Sequence, residues 1–201
     1  AKRGYILAVL ISIPLLAITL YEYFGYRQDL QLRELQSEIL SEGFSDERWQ
    51  RYQDIVGVIL ERRPDSGEHL VMMATLFRQQ SDFAGALPYY QRLARLFPKD
   101  PNVLAQLAQA RYLVGDRQVD QETRSLLERA LAINPTQGTA LGVLGIDSFA
   151  NKQYVDAISY WQKLLVQLPA GSAEIGVISG GIAEAKRLAA AAGNMQTLEV
   201  N

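Results

Sequence analysis

The chain has no cysteine among its 201 residues. That excludes disulfides, thiol catalysis, thiolate-held metal and covalent haem attachment through thiols of its own, and it leaves every redox compartment open. It has one histidine, His69. One imidazole is too few for a histidine-built metal site, and no Ser/His/Asp arrangement can be assembled convincingly around it. His69 falls at the start of a helical stretch and is expected on the surface. The net charge is only −2, so the basic face that nucleic acid requires is missing. No glycine loop is placed to cradle phosphate, because Gly142 and Gly145 fall inside a helical pattern. Carboxylates are plentiful, but none is paired in an apolar setting that would tune it. No catalytic residue, metal or cofactor is therefore expected. With 48% hydrophobic and 21% charged residues the composition is that of a folded protein, and binding is its natural use.

What is present begins with a long apolar run, "AKRGYILAVLISIPLLAITLYEYFGYR". Gly4 to Phe24 is 21 residues, of which only Glu22 is charged. As a helix it would extend about 30 Å, enough to cross a bilayer. Tyr5 at one end and Tyr21, Tyr23, Phe24 and Tyr26 at the other form interfacial belts. Lys2 and Arg3 precede the run, so the positive-inside rule puts the N-terminus in the cytoplasm and the remainder across the membrane. In a Gram-negative bacterium that places one span in the inner membrane and the rest in the periplasm. A cleaved signal peptide would need a small-x-small site, and "YEYFGYR" is bulky. A buried core helix fits poorly with so continuous a run, and Pro14 is tolerable in a membrane helix. The chain begins with Ala, so a longer protein with further cytoplasmic sequence is expected.

Residues 27–64 read as connecting helices. Leu30, Leu32, Leu35, Ile39 and Leu40 give one apolar stripe, which Ser41, Glu42 and Gly43 end. Ser45 is placed as an N-cap, with Asp46 and Glu47 in the first turn of the next helix. Trp49, Tyr52, Val56, Ile59 and Leu60 follow at helical spacing, and Pro64 closes the element.

Prolines then mark a repeat. Pro64, Pro98, Pro135 and Pro169 are 34, 37 and 34 residues apart. Before each of the last three lies a helix with a small residue and a large apolar one in register: Ala86 and Tyr90, Thr123 and Leu127, Ala157 and Trp161. The preceding helices align as Leu70, Met73, Ala74 and Phe77, then Leu104, Leu107, Ala108 and Arg111, then Leu141, Leu144, Gly145 and Ser148. The turn "GDRQVDQET" holds the three extra residues. Small residues allow close helix approach, large ones fill the seam, and no unit can bury its own face alone, so the units stack. A 34-residue helix–turn–helix of this kind is the tetratricopeptide (TPR) signature. The expected fold is all-α: an N-terminal transmembrane helix (1–26), connecting helices and an N-terminal cap (27–64), three TPR repeats (67–100, 101–137 and 138–171), a C-terminal capping helix (172–192) and a frayed tail (193–201). Thr123, Arg111 and Ser148 depart from the pattern, so the middle unit is expected to be loosened. In the capping helix Ser172 is the expected N-cap, and Ile175, Ile178, Ile182 and Leu188 are expected to face the last repeat. Gly180–Gly181 weakens it by about 1 kcal/mol each relative to Ala.

Stacked first helices line a concave groove. Its places read Glu68, Val71, Thr75, Arg78 and Gln79, then Asn102, Ala105, Gln109, Tyr112 and Leu113, then Thr139, Gly142, Ile146, Phe149 and Ala150. Arg78 offers a cation, Gln79, Asn102 and Gln109 offer amides, and Tyr112, Leu113, Ile146 and Phe149 offer apolar anchors. That mixture suits an amphipathic helix or an extended peptide. Ile146 and Phe149 have a second reading, packing on the capping helix.

"ALGVLGIDSFANKQYVDAISYWQKLLVQLPAGS", residues 140–172, resembles the last repeat of the CcmI/CycH family, the I component of the bacterial System I cytochrome c maturation machinery. "LGIDSF", "AISYWQKLL" with Trp161, and "LPAGS" carry the likeness. It extends over "PDSGEHLVMMATLFRQQSDFAGALPYYQRLARLFPKDP" and the preceding span. The resemblance implies transmembrane helices followed by a periplasmic TPR domain, with a further span and a cytoplasmic segment that this chain does not contain. It implies a membrane-anchored chaperone that holds apocytochrome c, chiefly by its C-terminal helix. Its further partners would be the haem lyase membrane subunit and a thioredoxin-like maturation subunit. The lack of cysteine suits a holdase beside a thiol relay. No family binding residue carries over by motif. The alternative is a general periplasmic TPR scaffold, such as an accessory subunit of the secretion translocon.

Overall fold

The computed structural model describes residues 13–17, 19–20, 26–43 and 45–193. Most of the apolar run 4–24 and the tail beyond 193 lie outside the described residues. Within the run, residues 13–17 and 19–20 are helical, and Ile13, Leu15, Leu16 and Leu20 are exposed. Among the described residues no helix is long and apolar enough to cross a membrane. The elements named below are helices α1 to α9, and the described residues contain no strand. They divide into two compact units, Ala1–Met73 and Ala74–Asn201.

In the first unit α1 (Tyr26–Glu42) pairs with α2 (Asp46–Arg62). Ser45 caps α2 as its position implies, its hydroxyl accepting from the Arg48 amide at 3.3 Å. The buried face joins Leu32 and Leu35 to Tyr52, Val56, Ile59 and Leu60. The five-residue apolar stripe expected for α1 is narrower than that, because Leu30 and Leu40 are exposed. At 100° per residue Leu30 sits opposite Leu32 and Leu40 lies well off its face. α3 (Gly67–Gln79) begins in this unit, and the unit boundary falls within it. His69, expected on the surface, is buried at 6% exposure. Its Nδ1 lies 2.7 Å from the Ser66 hydroxyl, and Arg63 and Asp29 pair at 2.6 Å beside its other nitrogen. A neutral imidazole with a local partner can be enclosed at little cost, which a surface reading of a lone polar residue overlooks.

In the second unit the remaining helices are α4 (Phe83–Leu96), α5 (Pro101–Val114), α6 (Gln121–Ile133), α7 (Gly138–Ala150), α8 (Tyr154–Leu165) and α9 (Ala173–Ala191). Successive helices from α4 to α9 pack on one another, and α5 also touches α7. Side chains cap most of their starts: Asp82, Asp100, Asp120 and Gln137 each accept from a first-turn amide. Proline follows Asp100 at the first helical place, where its missing N–H costs nothing. The small seam residues Ala74, Ala86, Ala108, Ala130 and Ala157 are fully buried, as close approach requires.

The middle seam is closed by polar contacts where the pattern departs from apolar ones. Thr123 is buried, and its hydroxyl accepts from Arg111 Nε at 3.3 Å. The same guanidinium pairs with Asp120 at 2.9 Å and Glu122 at 2.8 Å. Arg111 and Thr123 are thus a matched pair across the hairpin, and the expected loosening has this compensation. At the far end Trp161 fills the junction of α7, α8 and α9. A side chain at Gly145 would overlap its indole, and one at Gly181 would lie 3.1 Å from it. Gly181, read above as a weak point, is the place where α9 meets the ring. Ile182, Ala185 and Ala189 are the buried residues of α9, with Ile178 alongside, whereas Leu188 is half-buried. Ser172 holds the N-cap place of α9, but its hydroxyl makes no cap bond.

Candidate peptide-binding groove

The face that α7 leaves open follows from its buried one. Ala140, Leu141, Val143, Leu144, Gly145, Asp147 and Ser148 are buried against neighbouring helices. What remains, apart from Gly138 at the start, is Thr139, Gly142, Ile146, Phe149 and Ala150. These are the residues read from the repeat as groove places, but Gly142 borders Leu164 of α8 and Phe149 packs toward α9, so Thr139, Ile146 and Ala150 are what stays open. Ile146 stands at the centre of this face with 49% of its surface exposed. Phe149 leans to the other side, 5.6 Å from the Trp161 ring and 5.6 Å edge-on to Tyr154, and packs on the cluster that joins α8 to α9. The two readings left open for this pair therefore divide: Phe149 supports the cap, and Ile146 is free to meet a partner.

The open face of α5 is turned from the expected one. Ala105 and Tyr112 are buried, Tyr112 at 6% exposure. Burial holds the Tyr112 hydroxyl above the usual phenol value, with Arg117 opposing and Asp147 of α7 adding to the rise. Tyr112 is therefore packing between helices in this structure and is not an exposed anchor. On α5 exposed Asn102 and half-buried Gln106, Gln109 and Leu113, at steps of four, three and four, form a single helical stripe. Gln106 is the one that the repeat places missed. Its signal was present in that same 3.6-residue spacing once Tyr112 is allowed to turn inward.

The open faces of α5 and α7 lie side by side and are tied at two rungs. Gln137 Nε2 donates to Asn102 Oδ1 at 3.3 Å, and Gln106 Nε2 donates to Thr139 Oγ1 at 3.4 Å. Gln137 also caps α7, accepting from the Ala140 amide at 2.7 Å. Toward the other end of α7 Asp147 is buried, and its carboxylate accepts from Arg124 at 2.6 Å and from Asn151 at 3.1 Å. That network fixes the spacing of α6 against α7. On α3, Arg78 is half-buried and hydrogen-bonds the hydroxyl of buried Tyr90, while Gln79 is exposed. The surface that results on α5 and α7 is uncharged, with amides at Asn102, Gln106 and Gln109 beside the apolar Leu113 and Ile146. Among the described residues no cluster of His, Cys, Asp or Glu could hold a metal ion.

A solenoid of helical hairpins with an open, uncharged face is the architecture of a TPR protein-binding module. The family described as "Cytochrome c-type biogenesis protein H TPR domain" matches residues 31–175. The chain belongs to this CcmI/CycH family of cytochrome c-type biogenesis proteins. The cytochrome c-type biogenesis protein CycH of Pseudomonas aeruginosa is 30% identical over 192 residues, covering 95% of this chain and 46% of that protein. Subunit NrfG of the formate-dependent nitrite reductase complex of Escherichia coli O157:H7 is 26% identical over 53% of this chain and 54% of its own length. The chain thus spans about half the length of these curated relatives. Among solved structures, MamA superposes with a TM-score of 0.59 over 87% of this chain and 97% of its own at 16% identity, which is a likeness of fold.

Proposed function

We propose that this chain is a membrane-anchored periplasmic chaperone of c-type cytochrome maturation. It binds apocytochrome c by the C-terminal helix and presents it to the haem lyase membrane subunit and the thioredoxin-like maturation subunit. Membership of the CcmI/CycH family supports the role in cytochrome c maturation. The observation that carries binding is the open α5–α7 face, where exposed Ile146 and half-buried Leu113 flank uncharged amides. An amphipathic helix fits such a face, laying its apolar stripe on Ile146 and Leu113 and its flank on the amides. The anchor is residues 1–26, and its charge-free stretch 4–20 supports insertion. The exposed side chains of Ile13, Leu15, Leu16 and Leu20 and the Thr19 hydroxyl folded back onto the Leu15 and Leu16 carbonyls suit a helix in lipid.

The test is a binding titration of the purified protein against apocytochrome c and the corresponding holocytochrome. Selective binding of the apo form is expected, since only the unfolded client offers its C-terminal helix unpaired. A general periplasmic scaffold, the second reading, would not distinguish them, and no binding to either would remove the chaperone reading.

A further inference from the structure

Gln106 is half-buried, and its amide oxygen is shut off from solvent without accepting a hydrogen bond. Its nitrogen has one long bond, 3.4 Å to the Thr139 hydroxyl. Turning the amide over would let Thr139 donate to the oxygen, but it would leave N–H groups in the enclosed place. Either orientation strands one polar end between α5 and α7. An enclosed amide without a partner is costly to the fold, and a leucine would fill the same space without that cost. The residue sits in the middle of the stripe Asn102–Gln106–Gln109–Leu113, on the one rung that ties α5 to Thr139 of α7.

We propose that Gln106 is the specificity-determining residue of the groove: its stranded amide swings onto the open face and seats an uncharged polar side chain of the bound helix. This rests on the groove reading above and adds what the client must carry. The partner is a side chain, because the backbone of a helix is satisfied within itself. It is uncharged, because the neighbouring Asn102, Gln109 and Thr139 supply no opposite charge, and an enclosed charge without one is strongly disfavoured. The same side chain must be accompanied by apolar residues about two helical turns away, where Leu113 and Ile146 receive them. A purely apolar helix would bury the Gln106 amide still unpaired and lose affinity for that reason.

The probe is a synthetic peptide of the C-terminal helix of a c-type cytochrome, with a series in which each uncharged polar side chain is replaced in turn by Leu. Each is titrated by fluorescence anisotropy against the wild-type protein and the Gln106→Leu variant. At one position, Leu in the peptide is expected to weaken binding to wild type about tenfold, and that penalty disappears in Gln106→Leu. Gln106→Leu should melt no lower than wild type, so a loss of affinity for the unmodified peptide cannot be ascribed to unfolding. If every replacement has the same effect on both proteins, the inference about Gln106 is overturned while the groove stands. If the unmodified peptide fails to bind wild type, the groove reading falls and takes this inference with it.

Discussion

Replacing four glycines by alanine, one at a time, tests how Trp161 holds the end of the solenoid. In a helix interior Gly→Ala gains about 1 kcal/mol from backbone entropy alone. At Gly176 and Gly180 a new methyl would meet nothing within 4 Å, so each substitution should stabilise by about that amount. At Gly181 the methyl would lie 3.1 Å from the Trp161 ring, and a small shift of the indole would offset the gain, leaving stability near that of wild type. At Gly145 the methyl would overlap the indole, with Cδ1 at 2.5 Å. There a small shift does not suffice: the overlap is much deeper, and the ring would have to move toward Gly181 at its opposite edge and Phe149 5.6 Å away, which hold it from that side. Overpacking of this kind costs about 1–3 kcal/mol, the upper part of which applies to a pinned ring, so Gly145→Ala should lose about 1–2 kcal/mol net. Urea denaturation followed by far-ultraviolet circular dichroism measures the series, read as midpoint shifts at unchanged slope. The order expected is Gly176→Ala and Gly180→Ala above wild type, Gly181→Ala near it and Gly145→Ala below it. A Gly145→Ala protein as stable as Gly180→Ala would refute the packing of Trp161 described above.

Two further predictions concern local conformation and charge. Ser81 and Lys152 end helical turns at φ of 60° and 61°, in the left-handed region that side chains disfavour, so Ser81→Gly and Lys152→Gly should each raise stability by about 0.5–1 kcal/mol in the same urea assay. His69 is held below the usual imidazole value by burial and by Arg63, against the opposite pull of Glu68 and Asp29. The unfolded chain therefore takes up a proton at higher pH than the fold does. Stability should be undiminished above the ordinary histidine value near 6.5, fall as pH drops below it, and stop falling below the folded value. As the chain has a single histidine, one imidazole resonance in a proton NMR titration reports the folded value directly. A titration at or above 6.5, or an identical low-pH profile for His69→Gln, would contradict this.

The features legible from sequence were those set by a residue's own spacing. Proline-marked intervals located the hairpins, Ser45 announced its cap, and the repeat spacing marked Ile146 as a place on α7 that stays exposed. What could not be read depended on the residue lying opposite. Tyr112 and Phe149 occupy equivalent places of successive repeats, but Phe149 packs on the cluster that joins α8 to α9, whereas Tyr112 is buried between helices near Asp147. With Tyr112 turned inward, half-buried Gln106 joins the α5 stripe in its stead. Arg111 and Thr123 each break the pattern alone and satisfy one another across the hairpin. Gly181 has a cost in isolation and a purpose only when the indole of Trp161 is known to lie against it. His69 is a polar residue whose burial depends on Arg63 and Ser66 in the turn before it and on Asp29 of α1 arriving beside them.

The central claim is that the face shared by α5 and α7 receives a client helix. Isoleucine-methyl NMR of the intact protein tests it, because Ile146 is exposed on that face while Ile158 is buried at 1% exposure behind it. On adding the cytochrome C-terminal helix peptide, the Ile146 methyl should shift in proportion to binding, and the Ile158 and Ile59 methyls should stay in place. Saturable binding that leaves Ile146 unmoved and shifts methyls elsewhere would contradict the account.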